Sequence, residues 1–148
     1  MLKLPPPLWA LIYVAIAVTI SWALGWPRAP GLPIAPLGAI MVALGLIPPL
    51  LAFILFRRVG TEIQPTSHTN SKLVTSGPFA FTRNPMYLGL VIITAGIAVW
   101  VGAWPMIAAP IALFATANWV HIPFEEAKMR RQFPEDFGAY ARRVRRWV

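Results

Sequence analysis

Cysteine is absent from the 148-residue chain, which excludes disulfide frameworks, thiolate catalysis and cysteine-ligated metal sites together. Only two histidines and five carboxylates are present, so no dedicated metal site is expected. Charged residues are also scarce, at 12% of the chain against roughly 25% in an average soluble domain. So low a charge content, beside long apolar runs, favours an integral membrane protein.

The sequence also lacks the short motifs of soluble nucleotide folds and hydrolases. It has no G-x-G-x-x-G fingerprint, no Walker loop, no nucleophile elbow and no H-E-x-x-H. The net charge of +8 could indicate nucleic acid, but the basic residues flank apolar runs and do not alternate with aromatic residues. Anionic lipid headgroups and membrane topology explain the charge better, and no nucleic-acid partner is expected.

Two apolar runs near the N-terminus are long enough to cross a bilayer. Residues 8–26 and 35–56 carry no charge and fall in the range of about 17–25 residues that spanning helices use. A signal peptide is the alternative for the first run, but the run is long and no clear cleavage site follows it, so we expect it to be retained. Pro48-Pro49 predicts a kink in the second helix that packs against protein.

A third uncharged run, Met86 to Val120, contains 35 residues and would measure about 52 Å as one helix. That is too long for a single span, and Gly102-Ala103-Trp104-Pro105 provides a break. The sequence therefore predicts spans at 86–102 and 105–122, joined as a helical hairpin. A hairpin returns the chain to the side on which it entered, so Arg83 and the residues after Val120 should share a membrane face.

The tail, residues 125–148, mixes charged with apolar side chains. The apolar ones fall at spacings that share one helical face, namely Phe137, Tyr140, Ala141, Val144 and Trp147. Arginines occupy the rest of the helix surface. We therefore predict an amphipathic interfacial helix that lies on anionic lipid headgroups.

The basic residues also predict the orientation. With the N-terminus, the loop 57–85 and the tail in the cytoplasm, twelve of the thirteen Lys and Arg residues lie inside and only Arg28 lies outside. The sequence thus predicts one all-α membrane domain over residues 1–148, a multi-pass protein with four transmembrane helices and both ends cytoplasmic.

Polar residues concentrate where the hairpin should bring residues 70–87 and 118–126 together. None of the predicted spans has an ionisable residue in its interior, which argues against a proton-coupled transporter. Simple structural roles exist for each candidate: Arg83 could be a snorkelling anchor, and Tyr87 could belong to an aromatic belt. The glutamate pair after Pro123 could stabilise a helix start.

Taken together, these segments resemble the isoprenylcysteine carboxyl methyltransferase and phospholipid methyltransferase superfamily, over about residues 68–148. A Gly-Pro-Phe turn and an Arg-x-Pro-x-Tyr-x-Gly segment precede the hairpin, and paired glutamates and a basic tail with a tyrosine follow it. The matching positions are Leu73, Gly77, Pro78, Phe79, Arg83, Pro85, Tyr87, Gly89, Glu125, Glu126 and Tyr140. The sequence departs from the family at Asn84, where His is usual, at His121, where Arg is frequent, and at Phe133-Pro134, which replaces Phe-Gly.

The resemblance implies methyl transfer from S-adenosylmethionine, bound on the cytoplasmic side, to a lipophilic acceptor that arrives through the membrane. It implies catalytic roles for Arg83, Tyr87, Glu125 and Glu126. The cofactor-binding positions that it implies are His68, Leu73, Val74, Thr75, Gly77, Pro78, Phe79, Arg83, Asn84, Tyr87, Trp119, His121 and Glu125.

The chemistry of these residues suits such a cofactor. Arg83 can pair with a carboxylate, and glutamate can accept hydrogen bonds from ribose hydroxyls or an ammonium group. Aromatic faces can meet the sulfonium cation, from Phe79, Tyr87 and Trp119. An amine acceptor would have to lose a proton, for which Glu125 or Glu126 could serve, whereas a carboxylate acceptor needs no base.

The acceptor itself is left open by the sequence. An isoprenylcysteine-like carboxylate, a phospholipid-type amine and another small lipophile all fit. The alternatives to an enzyme are a non-catalytic lipid-binding protein that keeps the fold and a small four-span transporter. A reductase of the sterol-reducing type is disfavoured, because the chain is short and has no recognisable nicotinamide site.

Overall fold

The computed structural model describes residues 4–31, 35–60 and 72–148, and these residues are almost entirely helical. The α-helices are α1 (Pro6–Ala23), α2 (Ala35–Val59), α3 (Pro85–Val101), α4 (Ala108–Thr116), α5 (Ile122–Gln132) and α6 (Pro134–Arg143). Short 3₁₀ helices at Gly77–Ala80 and Trp104–Ile107 precede α3 and α4. Within the described ranges, β-structure is limited to an isolated bridge between Arg28 and Ala103.

The first helix ends three residues before the predicted boundary at residue 26. Gly25 and Trp26 adopt left-handed φ angles of 71° and 54°, and the Trp26 N–H donates to the Ser21 carbonyl at 2.7 Å. A right-handed helix cannot continue through such residues, so the chain turns there. Farther back along α1, a hydrogen bond of 2.6 Å joins the hydroxyls of Tyr13 and Thr116 and ties α1 to α4.

Helices α2 and α3 run antiparallel with their backbones almost in contact. Each carries two glycines seven residues apart at the interface: Gly38 and Gly45 on α2, Gly89 and Gly96 on α3. A Cβ added at Gly45 would stand 2.9 Å from the Ile93 backbone nitrogen, so no larger residue fits there. Pro49 packs against Gly89, which confirms that the proline segment meets protein. Small residues of this kind let membrane helices approach closely.

The predicted break between the third and fourth apolar segments is confirmed. Gly102 ends α3 with a left-handed φ of 70°, a conformation that glycine adopts without steric cost. The turn is held by the loop after α1, because the Ala29 N–H donates to Gly102 at 2.9 Å and the Trp104 N–H donates to Pro27 at 3.1 Å. The two loops therefore lie at one end of the bundle, and α3 and α4 form a hairpin.

The fourth helical segment is longer than predicted. Residues Trp104–Gln132 form a continuous 29-residue helix, which continues ten residues past the predicted end of the span at residue 122, and that span boundary stays a prediction. Pro123 does not break this helix. A π-helical turn at Ala117–His121 lies directly before it, where the missing N–H of proline removes one ordinary helical hydrogen bond and the wider turn accommodates the gap.

The tail also differs from the expected interfacial helix over residues 125–148. Phe133 interrupts the helix, and α6 begins at Pro134 and ends at Arg143. The apolar face of α6 is buried against protein, with Phe137, Tyr140 and Val144 packed in one cluster with residues of α2 and the 3₁₀ helix. The periodicity predicted an apolar face correctly, but protein covers that face and lipid does not. Contact of the exposed arginines with anionic headgroups stays a prediction.

Among the residues that the structure describes, three helices are long and apolar enough to cross a membrane: Pro6–Ala23, Ala35–Val59 and Trp104–Gln132. The remaining apolar helix, Pro85–Val101, has 17 residues, at the short limit for a span. The chain is therefore an all-helical integral membrane protein. The full four-span topology and its orientation stay predictions.

Candidate active site

A cavity of about 160 Å³ lies at the end of the bundle where α1 begins and α2 ends. Pro6 and Phe56 contribute from these two helices, and the start of α3, the middle of α5 and the inner face of α6 complete the wall. The sequence-predicted residues that line the cavity are Leu73, Val74, Phe79, Arg83, Asn84, Tyr87, Glu125 and Glu126. The helical hairpin thus brings the two predicted segments to one site.

Glu126 lies between two arginines. Its Oε1 accepts hydrogen bonds from Arg83 Nη2 at 2.8 Å and Nε at 3.2 Å, and its Oε2 accepts one from Arg146 Nη2 at 2.9 Å. The side chains of Arg83 and Glu126 are only 12% and 10% exposed. Planar guanidinium groups suit such paired contacts with a carboxylate.

Arg83 also binds the end of α6. Its Nη1 donates to the carbonyls of Ala141 at 2.9 Å and Val144 at 2.7 Å, which are among the groups that a helix leaves unpaired at its C-terminus. Together with the two contacts to Glu126, four of the five N–H groups of Arg83 are occupied within the protein. Its predicted pairing with a cofactor carboxylate would have to use the remaining donor or replace one of these contacts.

The residues on either side of Arg83 bind the C-terminal segment. The Arg83 backbone N–H donates to the Arg145 carbonyl at 3.0 Å. The Thr82 hydroxyl and the Asn84 amide both donate to the Arg146 carbonyl, at 3.1 Å and 2.9 Å. Asn84, which departs from the family pattern, therefore has a defined role in holding the tail. Its contact with a cofactor stays a prediction.

Tyr87 and Glu125 form a second polar pair on the cavity wall. The Tyr87 hydroxyl donates to Glu125 Oε1 at 2.6 Å, a short distance typical of a charge-assisted hydrogen bond. Successive residues of a helix point about 100° apart, so Glu125 faces Tyr87 while Glu126 faces the arginines. The two predicted glutamates are therefore in different environments, and Glu125 is the one without an arginine partner among the described residues.

His121 lies behind Tyr87 and does not line the cavity. Its ring is stacked on Tyr87, with centroids 6.1 Å apart, and its other neighbour is Trp9, at 6.0 Å. Its Nε2 atom is buried, with no hydrogen-bond partner within the described part of the chain. The π-helical turn ends at His121 and sets the orientation of the residues that follow. His121 therefore supports Tyr87 from behind.

Tyr140 closes the side of the cavity that α6 forms. Its hydroxyl donates to the Phe79 carbonyl at 2.7 Å, which connects α6 to the 3₁₀ helix. Burial raises the pKa of Tyr140 to about 12, and the nearby arginines oppose this only partly. The phenol is therefore protonated at neutral pH and acts as a hydrogen-bond donor.

Several predicted cofactor-binding residues lie elsewhere. Gly77 and Pro78 line a separate cleft beside α2, and Thr75 does not line the cavity. Trp119 is 69% exposed and contacts Phe114 edge-on. Contact of Trp119 with a bound cofactor would require a ligand that extends well beyond the cavity. His68 lies outside the described residues.

The site also includes residues that sequence reasoning did not select. Lys72 and Lys128 line the cavity, and Arg146 and Trp147 both donate to Asn118, at 3.5 Å and 3.0 Å. The only signal for the last two was the basic, aromatic character of the tail. The sequence gives no signal that Lys72 and Lys128 belong to a site, because a lysine near a membrane surface is expected for topological reasons alone.

A sequence model of the phospholipid methyltransferase family matches residues 34–136, which is 103 of the 148 residues. The match includes Arg83, Tyr87 and both glutamates, and it ends before Tyr140 and Arg146. No curated protein and no solved structure matches the chain.

Proposed function

The chain belongs to the phospholipid methyltransferase family, and we propose that it transfers a methyl group from S-adenosylmethionine to the amino headgroup of a membrane phospholipid. The family match and the apolar helices together indicate an integral membrane methyltransferase that acts on a lipid. The cofactor and the amine are the proposed parts. The observation that carries them is the Tyr87–Glu125 hydrogen bond on the wall of a mixed polar and apolar cavity.

The lining of the cavity fits the cofactor. Lys72 and Lys128 bring positive charge toward a carboxylate, and Glu125 offers an acceptor to an ammonium group or ribose hydroxyls. Phe79 and Tyr87 supply aromatic surface for an adenine ring or a cation. Bound S-adenosylmethionine would supply an electrophilic methyl group on a positively charged sulfur. The protein's own residues would then orient the acceptor, exclude water and accept a proton.

We assign Glu125 as the residue that accepts the proton from the headgroup amine. An ammonium group has no lone pair, so the headgroup must lose a proton before its nitrogen can form a new bond. Glu125 Oε1 accepts the hydrogen bond from the Tyr87 hydroxyl, and we assign Oε2 as the atom that takes up the proton. A carboxylate acceptor would give Glu125 no such task, and for this reason the pair favours an amine.

Arg83 and Glu126 are assigned as positioning residues. They connect the start of α3, α5 and the end of α6 by ion pairs and hydrogen bonds, with Arg146 as the third partner. Because Arg83 is engaged by protein groups, its substitution should act through the geometry of the site as well as through any direct contact with ligand.

Calorimetric titration with S-adenosylhomocysteine, the demethylated product of the cofactor, tests cofactor use. The detergent-solubilised parent should bind it measurably. Met129→Trp, which fills the cavity from α5, should weaken binding by at least about tenfold, equivalent to 1.4 kcal/mol. Ile111→Trp, at a position 62% exposed on α4, is the matched control and should bind like the parent. Absence of binding by a folded parent, checked by its thermal unfolding, would overturn the proposal.

We place the cavity end of the bundle in the cytoplasm, since the positive-inside rule favours that side for Arg57, Arg58 and the basic tail. The absence of cysteine allows a direct test with single-cysteine variants. Ser76→Cys, beside the cavity, should react with an impermeant maleimide only in inverted vesicles. Pro30→Cys, in the loop at the opposite end, should react only in right-side-out vesicles or intact spheroplasts. The reverse pattern would contradict this orientation.

A further inference from the structure

A second, shallower cleft lies on an exposed side of α2, against the 3₁₀ helix at Gly77–Ala80. It encloses about 210 Å³ and is lined by Leu51, Ile54, Leu55, Arg58, Gly77 and Pro78. Its wall is apolar except at the end of α2, where Arg58 provides a cation. A Cβ at Gly77 would approach the end of the Leu55 side chain to 3.3 Å, and the left-handed φ of 60° at this position also favours glycine.

The cleft and the cavity are lined by the same two elements, α2 and the 3₁₀ helix. Leu55 and Pro78 line the cleft, and the residues that follow them, Phe56 and Phe79, line the cavity. The Phe56 and Phe79 rings are in contact, with centroids 5.2 Å apart and planes inclined at 49°. The cleft and the cavity are therefore lined by consecutive residues of the same two elements, and the Phe56–Phe79 contact belongs to the cavity wall.

We propose that this cleft binds the phospholipid acceptor, with an acyl chain along Leu51 and Ile54 and the phosphate on Arg58. The proposal rests on the proposed function, because it supplies the entry site for that reaction. Leu51 and Ile54 are 47% and 38% exposed on a membrane helix, so a lipid chain reaches them without leaving the bilayer. A guanidinium suits a phosphate both in charge and in its paired N–H groups.

The position of the cavity beside the cleft suggests how a bound headgroup would be oriented. A phosphate held at Arg58 leaves the amine as the terminal part of the headgroup, able to turn back toward Phe56, which precedes Arg58 by two residues on α2. Rotation of the Phe56 or Phe79 ring would admit the amine toward Glu125 while the acyl chains stay in the membrane. Other exposed residues of α2, such as Leu44 and Leu46, line neither opening.

The neighbouring arginine provides a matched control. Arg57 is also exposed in the last turn of α2, but its guanidinium lies over the Phe53 ring at 5.7 Å and does not line the cleft. Substitution of either arginine removes one positive charge from the same helix end. Only Arg58 should affect lipid in the cleft.

Photo-crosslinking in nanodiscs tests the proposal without requiring turnover. The probe is phosphatidylethanolamine with a diazirine in one acyl chain, diluted in phosphatidylcholine. After irradiation, mass spectrometry should find adducts concentrated at Leu51 and Ile54 relative to Leu44 and Leu46. Arg58→Gln should lower their yield by about fivefold, because it removes the charge-assisted hydrogen bonds to the phosphate. Arg57→Gln removes the same charge but no contact in the cleft, so it should change the yield less than twofold.

Equal labelling along α2, or equal effects of the two arginine substitutions, would overturn the assignment of the cleft. These outcomes are separable from failure of the proposed function. If cleft labelling depends on Arg58 but the parent does not bind S-adenosylhomocysteine, the lipid-binding site is supported and the proposed methyl transfer is contradicted. If the parent binds S-adenosylhomocysteine but labelling is uniform along α2, the proposed methyl transfer is supported and the cleft is contradicted as its lipid entry site.

Discussion

Glu126→Gln is expected to lower the free energy of unfolding by about 3 kcal/mol, the usual penalty for removing one partner of a buried ion pair. Glutamine has nearly the same shape and keeps one oxygen acceptor, so packing changes little. The substitution removes the negative charge, however, and leaves the Arg83 side chain, only 12% exposed, without its counter-charge. The expected loss comes mainly from this uncompensated cation, since Arg146 is 34% exposed and can return to water.

Chemical unfolding in detergent micelles, followed by tryptophan fluorescence, measures this loss. Glu135→Gln is the control, because Glu135 is an exposed residue of the first turn of α6, and its substitution should change stability by less than about 0.5 kcal/mol. A Glu126→Gln protein as stable as the parent, but deficient in S-adenosylhomocysteine binding, would contradict the positioning role. Glu126 would then act as a ligand.

Replacing Arg83 together with Glu126 gives a further check on the same network. Arg83→Met and Glu126→Gln remove both charges, so the double variant should be less destabilised than the sum of the single variants. Simple addition would mean that the two groups act independently, contrary to their 2.8 Å contact. The carbonyls of Ala141 and Val144 lose the Arg83 donor in both the single Arg83→Met variant and the double variant, so the double variant should not recover the full stability of the parent.

The meeting of Arg83 with the glutamates could be predicted from sequence, because it needs only the length of the uncharged run and a break within it. An apolar run of 35 residues must fold back, whatever its detailed register. Which glutamate would pair with Arg83 could not be predicted. That depends on the helical register set by the π turn at Ala117–His121, and no periodicity in the sequence indicates an added residue in one turn.

The tail shows a different limit. The spacing of Phe137, Tyr140 and Val144 predicts that one face avoids water, but lipid and protein are equally apolar to that face. The return of the chain to bind Thr82, Asn84 and Glu126 depends on long-range hydrogen bonds from single side chains. Such contacts leave no repeating pattern, so the sequence does not indicate that Arg146 belongs to the site.

The second large effect is expected for Glu125→Gln, which should lower the rate of methyl transfer by about 10²–10⁴-fold, the range for loss of a general base. The glutamine oxygen still accepts the hydrogen bond from Tyr87, so the site keeps its shape, but the amide cannot take up a proton. Binding of S-adenosylhomocysteine should change by less than about tenfold. Tyr87→Phe should have a smaller effect on the rate, because it removes the fixing hydrogen bond and leaves the base.

The pH dependence separates a base from a merely structural residue. Without Glu125, the reaction needs headgroup amine that has already lost its proton to water. The rate of Glu125→Gln with phosphatidylethanolamine should then rise roughly tenfold per pH unit below the pKa of that amine. Glu135→Gln should keep the rate and the pH profile of the parent. A Glu125→Gln enzyme that is slow and insensitive to pH would show that Glu125 positions groups and accepts no proton, and a carboxylate acceptor would then explain the site better than an amine.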